Sequence, residues 1–198
     1  SLTKASGCEF DRTRIEENRV SGVALDQSDG IRLNRSVLWN NYSTTGGVAV
    51  VLSQSGLQVE NSVLWGSPVA VSLGSGNISV TNSVLDAKGA DGLIYQLGGS
   101  VSVNAFRGDY NSYTRRDEAL LSRKYNPIGT DEIYDNLPGW SAATASDLHS
   151  MTMDPVFANS TNGNFHEQST GGRFTASGWT NDATLSPLVD AGSPASSC

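Results

Sequence analysis

At 198 residues the chain fits one domain, and 17% charged and 37% hydrophobic residues beside 21 glycines supply a thin core rather than a broad one. A formal net charge of −7 with no basic stripe argues against a nucleic-acid partner, because phosphate contact needs clustered Lys and Arg. No run approaches the roughly 18 apolar residues of a spanning helix, and Ser1-Leu2-Thr3-Lys4 is not a signal peptide, so membrane insertion is not expected and any targeting segment is expected outside this sequence.

The first half is repetitive. Leu57-Gln-Val-Glu-Asn-Ser-Val-Leu-Trp-Gly66 is preceded by Ile31-Arg-Leu-Asn-Arg-Ser-Val-Leu-Trp-Asn40 and followed by Ile78-Ser-Val-Thr-Asn-Ser-Val-Leu-Asp-Ala87, and Leu2-Thr-Lys-Ala-Ser-Gly-Cys-Glu-Phe-Asp11 reads as a weaker first copy. A second apolar element follows each copy, at Gly22–Leu25, Gly47–Leu52, Pro68–Leu73 and Gly92–Leu97, and a Gly/Ser/Asn/Asp turn leads to the next. Apolar residues alternate within these elements, which is the period of a half-buried strand. Successive strands running the same way with no helical period between them predict a parallel coil stacked on itself every ~4.8 Å. In that register Cys8, Val37, Val63 and Val84 form one buried column, Trp39 and Trp65 face inward with Phe10 and Asp86 at the equivalent positions, and Ala24, Ala49 and Ala70 form a flat outward stack. Asn61 and Asn82 stack at a corner, with Arg35 interrupting their ladder.

Closing the long loop between Cys8 and Cys198 would stabilise by roughly 4 to 5 kcal/mol in the chain-entropy model. The inward position of Cys8 favours the alternative, a thiol packed as a small hydrophobe.

From about Arg107 the alternation lapses. Residues 1–106 are therefore assigned to the coils, and residues 107–198 to a loop-rich appendage that packs on the same helix and closes its open end. Within it, residues 115–124 have helix-forming composition and Pro127 would end that helix. Asp154 before Pro155 reads as a turn initiator, and Asp190 as an acceptor for backbone N–H groups of the terminal loop.

The Asn-Ser-Val-Leu-Trp-Gly repeat, with Trp140-Ser-Ala-Ala-Thr-Ala-Ser-Asp-Leu-His-Ser150, Asp154-Pro-Val-Phe157, Gly163-Asn-Phe-His166 and Ser186-Pro-Leu-Val-Asp-Ala-Gly-Ser-Pro194, resembles the right-handed parallel β-helix repeat proteins of bacteria and archaea, the pectate-lyase-like superfamily. The resemblance implies an all-β, right-handed solenoid of about four to five coils, secreted or displayed at the cell surface and cut from a larger protein. That superfamily holds polysaccharide lyases, glycoside hydrolases, epimerases and adhesins, so it implies no single chemistry.

A lyase of this fold would need a Lys or Arg base and commonly carboxylates holding Ca²⁺ on neighbouring coils. Lys88, Asp91, Asp86, Arg107, Asp109, Asp26 and Asp29 supply such groups, but they form no tight constellation, and Asp at turns has a sufficient backbone explanation. No nucleophile elbow or phosphate loop is present, and His149 and His166 lack neighbours at metal-ligand spacing, so structural hydrogen bonding is expected of both. No catalytic residue, metal ligand or cofactor is assigned, although Ca²⁺ in the acidic turns stays compatible with the sequence. The expected carbohydrate contacts are Trp39 and Trp65 as stacking surfaces, with Lys88, Arg107 and Asp109. The expected function is a non-catalytic extracellular module that binds polysaccharide or serves as a scaffold, with end-to-end self-association or further domains as partners. A lyase or hydrolase acting on acidic polysaccharide is the alternative.

Overall fold

The computed structural model describes residues 1–42 and 47–194, which fall into two compact units, Ser1–Thr152 and Met153–Cys198. Cys198 lies outside the described residues, and so does any pairing of it with Cys8.

The first unit is a parallel β-solenoid of five turns with three strands each. The first turn is β1 (Leu2–Thr3), β2 (Glu9–Asp11) and β3 (Arg14–Glu16), and the second β4 (Ser21–Asp26), β5 (Ile31–Asn34) and β6 (Val37–Trp39). The third turn is β7 (Val48–Ser53), β8 (Ser55–Glu60) and β9 (Val63–Trp65), and the fourth β10 (Val69–Leu73), β11 (Gly76–Thr81) and β12 (Val84–Lys88). The fifth is β13 (Leu93–Leu97), β14 (Phe106–Asp109) and β15 (Ser112–Arg116), built partly from the stretch where apolar alternation lapses. Like strands pair across turns, so β1-β4-β7-β10-β13 form the first sheet, β2-β5-β8-β11-β14 the second and β3-β6-β9-β12-β15 the third. The first sheet continues through β16 (Leu120–Lys124), parallel, and β17 (Glu132–Tyr134), antiparallel.

The register corrects several of the expected details. Glu9 pairs with Arg32 and Leu2 with Leu25, so the first copy of the repeat begins at Cys8 rather than Leu2, and Glu16 rather than Phe10 stands opposite Trp39. Cys8 does pack half-buried against the core, but beside β5 and not in a column with Val37. That column is Arg14, Val37, Val63, Val84 and Ser112, with Val37 and Val63 only half-buried, whereas Leu38, Leu64 and Leu85 are fully buried beside it. The inversion arises at the corner. Arg12, Arg35, Asn61, Asn82 and Tyr110 all take φ between 47° and 57°, and one left-handed residue turns the next strand over by one position. Trp39 and Trp65 therefore share the face of Val37 and Val63, away from the leucine column. Ala49 and Ala70, expected outside, are fully buried core residues; Ala24 lies one column over, opposite Val51.

Serines carry the corner ladder expected of the asparagines. Thr13 N–H donates to Ser36 Oγ at 2.9 Å, Ser36 N–H to Ser62 Oγ at 3.1 Å, Ser62 N–H to Ser83 Oγ at 3.1 Å and Ser83 N–H to Asn111 Oδ1 at 3.1 Å. Each of these serine hydroxyls donates to the carbonyl two residues back, so the corner hydroxyls both donate and accept within the ladder.

Residues 115–124 form no helix. Arg115 and Arg116 end β15, Asp117 and Glu118 turn at positive φ, and β16 adds to the first sheet with Leu93 opposite Leu120. Pairing with an existing sheet edge overrides weak local propensity. The helix of this unit is α1 (Leu137–Thr144), capped by Asn136, whose Oδ1 accepts the Gly139 N–H at 2.9 Å. Helix α1 closes the end of the solenoid: Trp140 is wholly buried, stacks on Tyr95 at 5.3 Å between centroids and meets Phe106 at 5.0 Å. The interior thus changes from aliphatic columns to an aromatic plug where the coil stops.

In the second unit β18 (Phe157–Asn159) pairs with β19 (Asn164–Glu167), and β20 (Arg173–Thr175) with β21 (Gly178–Thr180). Asp154 initiates its turn as expected, accepting the Val156 N–H at 2.8 Å. Asp190 is exposed and accepts no bond among the described residues; Ser186 ties the terminal loop instead, through Pro155 O and Gln168 O.

Candidate functional site: a groove on the second sheet

The five expected carbohydrate contacts are divided between two faces. Trp39, Trp65 and Lys88 lie on the third sheet, Arg107 and Asp109 on the second.

On the third sheet Trp39 and Trp65 occupy successive rungs. The Arg14 guanidinium lies 5.0 Å from the Trp39 ring centre, and that of Arg116 lies 5.0 Å from Trp65, whose side chain is nearly buried. Arg116 also grips Asp86, the residue that replaces Trp on the next rung, through Nε at 2.6 Å and a second N–H. Burial pushes the Asp86 carboxyl above the usual range, opposed by Arg116 and by the Gly66 N–H at 2.8 Å. The tryptophan faces are thus occupied by arginines, and this ladder is a packed corner rather than an open platform.

The second sheet presents a different surface. Its strands place Leu33, Val59 and Val80 inside, so Arg32, Gln58, Ser79 and Arg107 form one outward column and Asn34, Glu60, Thr81 and Asp109 the next. A groove of about 310 Å³ crosses the strand starts over four successive turns, lined by Asp29, Gln58, Asn77, Ser79, Asn104 and Arg107. Gly56 sets its depth, because a Cβ there would stand 2.3 Å from Asp29 Oδ1. Arg107 is exposed, and its only bonds among the described residues run from one guanidinium nitrogen to the carbonyls of Asn104 and Phe106. Among the described residues no group of three His, Cys, Asp or Glu is placed to hold a metal ion.

Asp109, two positions along the same strand from Arg107, holds His149. Its Oδ2 accepts from His149 Nδ1 at 2.7 Å, and its Oδ1 accepts the backbone N–H groups of His149 at 2.7 Å and Tyr110 at 3.0 Å. The imidazole stacks on Tyr110 with ring centres 4.7 Å apart. Partial burial pushes the Asp109 carboxyl up, but these hydrogen bonds more than reverse it and hold it below the usual range. His149 is thus bonded as expected, yet its partner is 40 residues away in sequence and no local signal pointed to it. Asp147, in the same segment, is a wholly buried hub that accepts from Tyr113, Asn111, Ser150 and Trp140 and fastens the cap. His166 bonds Asn164 within its own hairpin.

The chain is a β-helix repeat protein. Residues 128–192 match the profile of a family described as disaggregatase related, a stretch that begins after the fifth turn and includes α1, Asp147 and His149. Neither the curated proteins nor the solved structures give a match.

Proposed function

We propose that this chain is an extracellular β-helix module that binds polysaccharide along the outer face of the second sheet. The observation that carries the reading is the groove across four turns: three steps of ~4.8 Å span about 14 Å, enough for a short run of sugar rings. Its lining alternates amides and hydroxyls with one carboxylate and one guanidinium, a set that exchanges hydrogen bonds with a polyhydroxyl chain and carries little net charge. The groove replaces Trp39, Trp65 and Lys88 in the expected contact set and retains Arg107. The family likeness favours a β-helix module without naming its ligand.

Affinity electrophoresis on neutral and acidic polysaccharides, with and without Ca²⁺, tests it. Retardation should occur on at least one polymer. Gly56→Val, which fills the groove floor, should weaken it at least tenfold, and Lys88→Ala should leave it unchanged. Absence of retardation on every polymer, or equal retardation of Gly56→Val and the parent protein, would reject the groove.

A further inference from the structure

We infer that the hairpin of β20 and β21 in the second unit presents Phe174 and Trp179 as a stacking surface for neutral sugar rings, a site separate from the groove and independent of it. The two residues stand directly opposite each other in the antiparallel pair, so their side chains leave the same face. Both are open to solvent, Phe174 at 74% exposure and Trp179 at 67%. One edge of the indole is seated on Gly172, where a Cβ would stand 2.2 Å from Nε1. Trp39 and Trp65, the stacking pair expected from the repeat, have arginines on their faces instead.

The hairpin does not need these rings for its own packing. Arg173 grips Asp182 through Nε at 2.7 Å and Nη2 at 3.1 Å, and Asp182 also accepts the Ser169 N–H at 3.0 Å. Thr175 Oγ1 donates to Gly178 O at 2.8 Å across the turn. A pair kept for packing would bury its faces, and exposed apolar residues need no explanation only when they are scattered singly. Charge and area then select the ligand. Residues 153–198 contain one Lys or Arg, Arg173, already bound to Asp182, against Asp154, Glu167, Asp182 and Asp190. A uronate, a sulfated sugar or an anionic lipid headgroup would meet no free cation in this unit. Two aromatic side chains bury about 150–250 Å² each, which falls short of the roughly 800 Å² per partner of a stable protein interface. A pyranose ring needs only one aromatic face. Its hydroxyls would find Ser177 in the turn and Asn181 two residues beyond Trp179, both exposed.

The experiment titrates the full chain with a soluble β-glucan, a mannan and a galactan, and with polygalacturonate as the anionic comparison. Tryptophan emission and retardation in affinity electrophoresis are followed together. At least one neutral polymer should shift the emission, and polygalacturonate should not. Trp179→Phe keeps a stacking ring, so retardation should persist while the emission shift disappears. With Gly56→Val in place to remove the groove, Trp179→Ala and Phe174→Ala should each weaken the remaining binding about tenfold at an unchanged thermal midpoint. Gly56→Val alone should keep the emission shift in full, which separates this site from the groove. No shift with any neutral polymer would overturn the site whatever the groove does, and a shift that survives Trp179→Phe would place the ligand elsewhere. An equal shift with polygalacturonate would overturn the neutral class. A shift produced by phosphatidylcholine vesicles or by raised protein concentration, and by no polymer, would replace the sugar with a membrane surface or a second copy of the chain.

Discussion

Ser62 Oγ donates to Glu60 O at 2.7 Å and accepts the Ser36 N–H at 3.1 Å, so one buried hydroxyl satisfies backbone groups of two adjacent turns. Ser62→Ala leaves both unpaired and should cost about 1–3 kcal/mol, read as a lowered urea midpoint. Ser122 is equally buried, but its Oγ has no partner among the described residues, so Ser122→Ala should leave the midpoint unchanged or raise it. An equal loss in both variants would remove the ladder as the reason for the serines. Asp109 supplies a pH test. Its folded carboxyl sits below the unfolded value, so its contribution is present above the unfolded carboxylate range and fades as pH falls through the depressed value. Asp109→Asn should therefore lower stability at neutral pH and match the parent protein in strong acid, as checked by denaturation across pH.

The third sheet illustrates how a single element carries an ion pair. Asp86 is wholly buried, and Arg116 both neutralises it and covers Trp65. Arg116→Met keeps much of the packing but strands the carboxylate, and should cost about 3–5 kcal/mol at neutral pH. Because burial raises the folded Asp86 carboxyl, its penalty is absent below the unfolded carboxylate range and grows as pH rises through it. The Arg116→Met deficit should accordingly shrink in acid, and Asp86→Asn added to it should recover stability at neutral pH. Chemical denaturation of the two variants at both pH values decides this. Legibility was uneven at this scale. The strands of the repeat are plain from alternation, but alternation predicts the wrong face for Val37, Val63, Trp39 and Trp65, because it is interrupted by the left-handed conformation that Arg35 and Asn61 both adopt. Asparagine hints at that conformation, whereas arginine at the same corner conceals it.

The solenoid depends on its closed end. Tyr95, Phe106 and Tyr113 fill the last turn and Trp140 seals it, so Trp140→Ala should cost about 3–5 kcal/mol and unfold the five turns together, seen as one lowered thermal transition. Residues 1–152 form a compact unit with its own cap. That fragment should unfold cooperatively by itself and keep the groove; a fragment that fails to fold would show that its own cap is not sufficient. The candidate site also belongs to this scale. Gln58, Ser79 and Arg107 are ordinary surface residues in sequence and become one surface only when three turns stack.

The sequence alone determined the β class, the stacked parallel coils and most strand positions, because a half-buried strand leaves a two-residue period wherever it recurs. It also placed Cys8 against the core and Asp154 in its turn. Only the tertiary structure decided which side of the third-sheet strands faces in, that residues 112–124 join the sheets, that arginines cover the tryptophans and that His149 meets Asp109. These depend on corner conformations, on sheet edges waiting for a partner and on contacts between residues far apart in the chain, none of which has a local periodic signature.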